Sequence, residues 1–175
     1  MNKVAVIVGH EVNSPGFYSE YLGCSEYDWH QLKIVPGLEN CDIFYRPNEV
    51  NGYATKMKAL AKQLKGYDVA IELHFNGFKD TKANGSEVLH WLGNEQGMDI
   101  GNHYLELMSK LGFKNRGLKA IYRKDQRGYH FIQKMPCTAL ILEPFFGSNK
   151  NDTSLITPEK YINVLNQTIE YILKD

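Results

Sequence analysis

Three short apolar runs in this sequence end in groups that bind metals or move protons. Gly9-His10 follows VAVIV, His74-Phe75-Asn76 follows VAIEL, and Glu143 follows TALIL. A fourth such group, Glu26, stands just inside a helix that Ser25 can cap. Two histidines and a carboxylate are a common catalytic zinc set, with the fourth position left open to water. A further carboxylate within reach of that water serves as general base. The four groups supply this set with one carboxylate over. Glu72 stands two residues before His74 and points to the same side of its strand, as an alternative ligand or as a support for that ring. His30 lies four residues after Glu26 on one helix face, which reads as a simple surface contact. His90, His103 and His130 read as surface or packing residues.

Other chemistries find no support in the sequence. It contains no HExxH, GxSxG, Walker A motif or GxGxxG after its first strand. Cys24, Cys41 and Cys137 are far apart and form no CxxC, which predicts reduced and mostly buried thiols rather than a disulfide framework. Cys137 precedes a core strand, at the end away from the other candidates.

The elements that position these groups follow from the pattern. Strands are expected at 4–8, 41–45, 68–73, 87–91, 119–122 and 138–142. Helices are expected from Ser25 to about Val35, where Pro36 stops the run, over 53–64, over 95–111, and after Thr157 with Pro158 at its first position. VAVIV and TALIL are apolar throughout, as befits strands covered on both faces. Strands alternating with helices predict an α/β fold: one three-layer domain over 1–175, with a twisted, mainly parallel sheet and helices on both faces. The strand at 87–91 follows the turn signal Ala83-Asn84-Gly85 and is expected to pair antiparallel at an edge. In such a sheet, ligands bind beyond the carboxyl ends of the strands, so His10, His74 and Glu143 share one rim.

Composition agrees with a globular enzyme or binding domain. The chain has 20 Lys+Arg against 20 Asp+Glu, which gives no bulk pull toward nucleic acid or anionic membrane. Its lysines at 56, 58, 62 and 65 read as a solvated helix face. The opening MNKVAVIVGH is far too short in apolar residues for a membrane span or a secretion leader, so synthesis without a signal peptide is expected.

Taken in order, several short motifs carry a resemblance. They are Gly9-His10, Gly23-Cys24-Ser25-Glu26, Tyr45-Arg46-Pro47, Leu73-His74-Phe75-Asn76, Asn84-Gly85-Ser86-Glu87-Val88, Asn115-Arg116-Gly117, and Leu142-Glu143-Pro144-Phe145-Phe146 with Asn149-Lys150-Asn151-Asp152. The set resembles the zinc-dependent N-acetylmuramoyl-L-alanine amidases of bacterial cell walls and phage lysins. The resemblance implies a single Zn2+ held by His10, Glu26 and His74, with Glu143 as the catalytic carboxylate. It implies hydrolysis of the amide between the lactyl group of N-acetylmuramic acid and L-alanine. Peptidoglycan is then the partner, with neither nucleic acid nor stable membrane insertion, and action is at the wall after phage-type release or delivery by another factor.

Two departures stand out: Glu11 to Gly16 replaces the family's usual Asp-Pro-Gly continuation, and Glu72 stands where a Ser is usual. No appended wall-binding module is expected, so targeting is expected to come from the catalytic domain, a lost partner or another chain. Asn76 and Arg116 are expected to contact substrate, and Phe75, Phe145 and Phe146 to pack the rim. The competing readings are a zinc peptidase or deacylase acting on another amide, and a non-catalytic wall-binding module.

Overall fold

A computed structural model describes residues 2–174. Six strands form one sheet in the order β4-β1-β5-β8-β6-β7, where β1 is Val4–Val8, β4 Asp42–Phe44, β5 Val69–Leu73, β6 Ser86–Trp91, β7 Asn115–Ile121 and β8 Thr138–Glu143. The pairs β1–β4, β1–β5, β5–β8 and β6–β7 are parallel. Only β6 against β8 is antiparallel. The expected orientation of β6 therefore holds, but its place does not: it lies inside the sheet, with β7 beyond it as the edge. A second, two-stranded antiparallel ribbon joins β2 (Tyr18–Ser19) to β3 (Cys24–Ser25).

Alternation along the strands divides the core. Val4, Val6, Val69 and Ile71 face a layer built with α3 (Glu95–Lys110) and α6 (Pro158–Lys174), where Tyr104, Met108, Tyr161 and Leu165 are buried. Ala5, Ile7 and Ala70 face the opposite layer, built with α2 (Tyr53–Gln63) and α4 (Tyr129–Lys134) through Met57, Leu60 and Phe131. Helices on both faces leave the ends of the strands as the open surface. The three-layer α/β expectation is met.

Three local differences matter. The helix expected from Ser25 is instead one α-turn, α1 (Glu26–Asp28), then a π-helical segment Trp29–Ile34 and a 3-10 turn Val35–Gly37. The carbonyl of Glu26, which an α-helix would offer to the His30 amide, faces the His30 ring nitrogen Nδ1 at 2.8 Å and also accepts from the Trp29 amide. Second, β7 begins at Asn115, so the Asn-Arg-Gly motif lies within the strand. Third, α4 and α5 (Lys150–Leu155) have six residues each, too few to show a helical period in sequence. The three cysteines are free and partly buried. Among the described residues no helix is long and apolar enough to cross a membrane.

Candidate metal centre

The carboxyl ends of β1 and β5 lie side by side, tied by the Gly9 amide donating to the Leu73 carbonyl at 3.0 Å. His74 comes directly after β5, and His10 follows β1 after Gly9. Their ring centroids are 4.9 Å apart and the rings meet edge to face. His10 adopts φ 66°, a left-handed conformation costly for a residue with a Cβ, and this turns its ring back over the sheet end. Glu26 comes from the other side, at the start of α1, where the Ser25 hydroxyl caps the Asp28 amide at 3.1 Å.

The carboxylate of Glu26 reaches both rings. Its Oε1 lies 3.1 Å from His10 Nε2 and 2.8 Å from His74 Nδ1, and accepts the Phe75 amide at 3.1 Å. Its Oε2 accepts the Phe17 amide at 3.1 Å. Burial opposes the charge on Glu26, but bonds from the two imidazoles outweigh it and hold the carboxyl well below the usual carboxylate range. One donor atom from each of His10, Glu26 and His74 lies within 4.8 Å of the others.

Whether these residues suit a metal is tested by their surroundings. A Cβ on Gly9 would stand 2.6 Å from His74 Cε1, and one on Gly16 would stand 2.6 Å from Glu26 Oε2 and 2.7 Å from His10 Cδ2. Glycine at both places lets backbone close directly on these three side chains. The far nitrogen of His74, Nε2, faces Glu72 Oε2 at 3.2 Å, while Nδ1 faces Glu26 Oε1, so a carboxylate stands on each side of the ring. Two imidazoles and a carboxylate, with a second carboxylate behind one ring, match the donor chemistry of zinc.

Glu72 lies behind His74 and is not among the three residues whose donor atoms cluster. It is fully buried, and Arg46 grips its Oε1 from Nε at 3.1 Å and Nη2 at 2.8 Å. Burial would raise its pKa, yet Arg46 and His74 bring it down to about 2. The unfolded chain therefore takes up this proton first as pH falls. The pair contributes stability that is present above pH 4.5 and lost as pH drops toward 2. Arg46→Ala leaves Glu72 as a buried charge without its main partner. A loss of about 3–5 kcal/mol is expected, read as a lower urea midpoint. An unchanged midpoint would show that the pair carries no such weight.

Glu143, the last residue of β8, lines the same cavity of about 320 Å³ as His10, Glu26 and His74. It is 6% exposed, and its Oε2 has no hydrogen-bond partner among the described residues. Burial, only partly offset by His74 and Arg127, pushes its pKa up to about 7. Arg127 Nη1 approaches its Oε1 at 3.2 Å.

The two residues expected to meet substrate are both bound to Glu87. Asn76 donates to Glu87 Oε1 at 3.1 Å, and Arg116 Nε donates to Oε2 at 3.0 Å while its guanidinium lies 5.0 Å from the centre of the Phe146 ring. Arg127 completes the group, donating to Asn76 Oδ1 at 2.6 Å and pairing with Glu87. Sequence reasoning gave Arg127 no role; the only signal was its place before Gly128, at the cap of a helix too short to notice. Phe75, Phe145 and Phe146 are buried, and Phe75 stacks on Phe145 at 5.1 Å, as packing residues should. His30 is not a surface residue. It is fully buried, and burial brings its pKa down to about 4, so it stands neutral behind Glu26.

A family model described as N-acetylmuramoyl-L-alanine amidase matches residues 4–174. The chain belongs to that family. It is an enzyme of that type, acting on peptidoglycan. Solved amidase domains share its fold. The catalytic domain of the CD27L endolysin targeting Clostridia difficile superposes with TM-score 0.77 at 23% identity, covering 100% of this chain and 98% of that one. Cwp6 from Clostridium difficile gives 0.76 at 20% identity, covering 100% of this chain and 29% of that one. An N-acetylmuramoyl-L-alanine amidase described as putative, from Neisseria meningitidis, gives 0.71 at 24% identity, covering 98% and 96%. A search of curated proteins returned no match. Within this amidase the family's ordered motifs meet at one rim, since His10, Glu26, His74, Asn76 and Glu143 all line the cavity.

Proposed function

We propose that this amidase is zinc-dependent, that His10, Glu26 and His74 hold one zinc ion, and that Glu143 is its catalytic carboxylate. The bond cut is the amide between the lactyl group of N-acetylmuramic acid and L-alanine, in lysis or remodelling of the wall, with 1–175 as the catalytic domain. The observation that carries this reading is the His10–Glu26–His74 cluster, which shares a cavity with the buried carboxyl of Glu143, whose Oε2 has no hydrogen-bond partner among the described residues.

A zinc ion bound there supplies a Lewis acid that polarises the amide carbonyl and makes a water molecule easier to deprotonate. Glu143 takes a proton from the attacking water as oxygen adds to the carbonyl carbon. It returns that proton to the alanine nitrogen as the carbon–nitrogen bond breaks, leaving a lactyl carboxyl group and a free amine. The burial that raises the pKa of Glu143 suits a group that must both accept and release a proton near neutral pH. Arg127 holds Glu143 toward the cavity and, with Asn76, Arg116 and Glu87, forms the polar wall along which the substrate lies.

Treatment with a chelator is expected to abolish release of fragments from purified cell walls, and added zinc to restore it. Mass analysis should show new alanine N-termini and intact glycan strands. Full activity after complete metal removal, or cleavage elsewhere in the peptide, would overturn the reading.

A further inference from the structure

Two grooves adjoin the metal cavity, and their chemistry differs. One, of about 350 Å³, is bounded by Phe17, Tyr18, Glu20, Tyr21, Phe78 and Ser148. The other, also about 350 Å³, carries Arg116 and Arg127 beside Asn76 and Glu87. Phe17 lines both the aromatic groove and the metal cavity, so these two are continuous.

The aromatic groove has an unusual surface. Tyr18, Tyr21 and Phe78 are 59%, 52% and 60% exposed, the most exposed aromatic rings among the described residues. Rings of this size are ordinarily withdrawn from water, so three around one groove mark a binding surface. The groove is also held in shape. The Phe78 amide donates to Ser148 Oγ at 3.1 Å, and Ser19 Oγ donates to the Gly147 carbonyl at 2.6 Å. A Cβ on Gly77 would stand 2.2 Å from the Phe17 ring, so that ring lies directly against backbone, and the Phe17 amide is bonded to Glu26.

We infer that the groove of Phe17, Tyr18, Tyr21 and Phe78 is a saccharide subsite that takes the N-acetylhexosamine rings of the glycan strand by stacking. This rests on the amidase reading above, because the scissile amide joins a sugar on its acyl side to a peptide on its amine side. A pyranose presents an apolar C–H face to an aromatic ring and hydroxyls to groups such as Ser148. It carries no charge for Glu20 to repel. The peptide carries carboxylates, which Glu20 disfavours here and which Arg116 and Arg127 attract in the second groove. Phe78 lines both grooves and each shares residues with the metal cavity, so sugar in one and peptide in the other bring the amide between them to His10, Glu26 and His74.

The test is titration of the zinc-loaded, isotope-labelled full chain with a peptide-free oligosaccharide of alternating N-acetylglucosamine and N-acetylmuramic acid, monitored by NMR. That probe lacks the scissile bond, so binding is read apart from turnover, and its lactyl groups are capped as methylamides so that, like the amidated sugar of the substrate, it carries no charge. Saturable shifts are expected at Tyr18, Tyr21, Phe78 and Ser148. The Tyr21→Ala/Phe78→Ala double variant should bind about tenfold more weakly, whereas Tyr21→Trp should bind at least as well as the wild type. Shifts centred on Arg116 and Arg127, equal binding by the double variant, or no binding would overturn the subsite, even with amidase activity intact. Binding in this groove by a protein that cleaves no muramyl amide would leave the subsite standing and overturn the amidase reading instead.

Discussion

Glu143→Gln is expected to lower turnover on purified cell walls by about 10²–10⁴-fold while leaving bound zinc and the fold unchanged. The amide is close in size to the carboxyl and still offers Arg127 an oxygen, but it cannot accept the proton of the attacking water. Stability should not suffer. Burial already disfavours the charged form of Glu143 and pushes its pKa up to about 7, so an uncharged isostere removes a penalty. Dye release from labelled walls measures the rate, elemental analysis the metal, and thermal unfolding the fold. A rate near that of wild type would show that another group is the base, and loss of zinc would show that Glu143 belongs to the ligand set.

Glu26→Ala should produce a different pattern. Zinc content is expected to fall from about one per chain to none, because the remaining imidazoles make a poor site by themselves. Stability should fall as well, even with a chelator present throughout. The Phe17 and Phe75 amides both donate to this carboxylate, and each loses its acceptor. A buried donor left unpaired costs about 1–3 kcal/mol. Two such groups together should lower the melting temperature by roughly 5–15 °C in a domain of this size. His10→Ala provides the contrast: its side chain is 26% exposed against 5% for Glu26, so it should lose the metal with a smaller drop in stability. Stoichiometric zinc in purified Glu26→Ala would remove Glu26 from the site.

Much of the rim was legible beforehand because a parallel sheet brings the residues just past its strands to one place. His10, His74 and Glu143 each stand at the carboxyl end of a strand that is apolar except for Glu72, so their convergence needed only the fold class. Glu26 was readable from its cap. Less was legible about Glu72. Spacing put it beside His74 but could not choose between ligand and support, since that depends on which ring nitrogen it faces and on Arg46, 26 residues away. Arg127 was invisible for a similar reason. It reaches Asn76 and Glu87 across 51 and 40 residues of chain, and no local period records such a contact. The edge position expected for β6 failed because strand order is set by long-range pairing, to which the turn before the strand contributes nothing.

The residue order by itself determined an α/β sheet with two imidazoles and two carboxylates at one end. Apolar periodicity sets which faces are buried, and burial sets where the strands must end. Only the tertiary structure decided how those groups and Glu72 are arranged: Glu26 between the rings, Glu72 behind one of them, Glu143 buried with no partner for Oε2 among the described residues. The physical reason is range. Helix and strand formation respond to neighbours a few positions away, whereas the charge and proton affinity of a carboxyl depend on whatever the whole fold brings within a few ångströms.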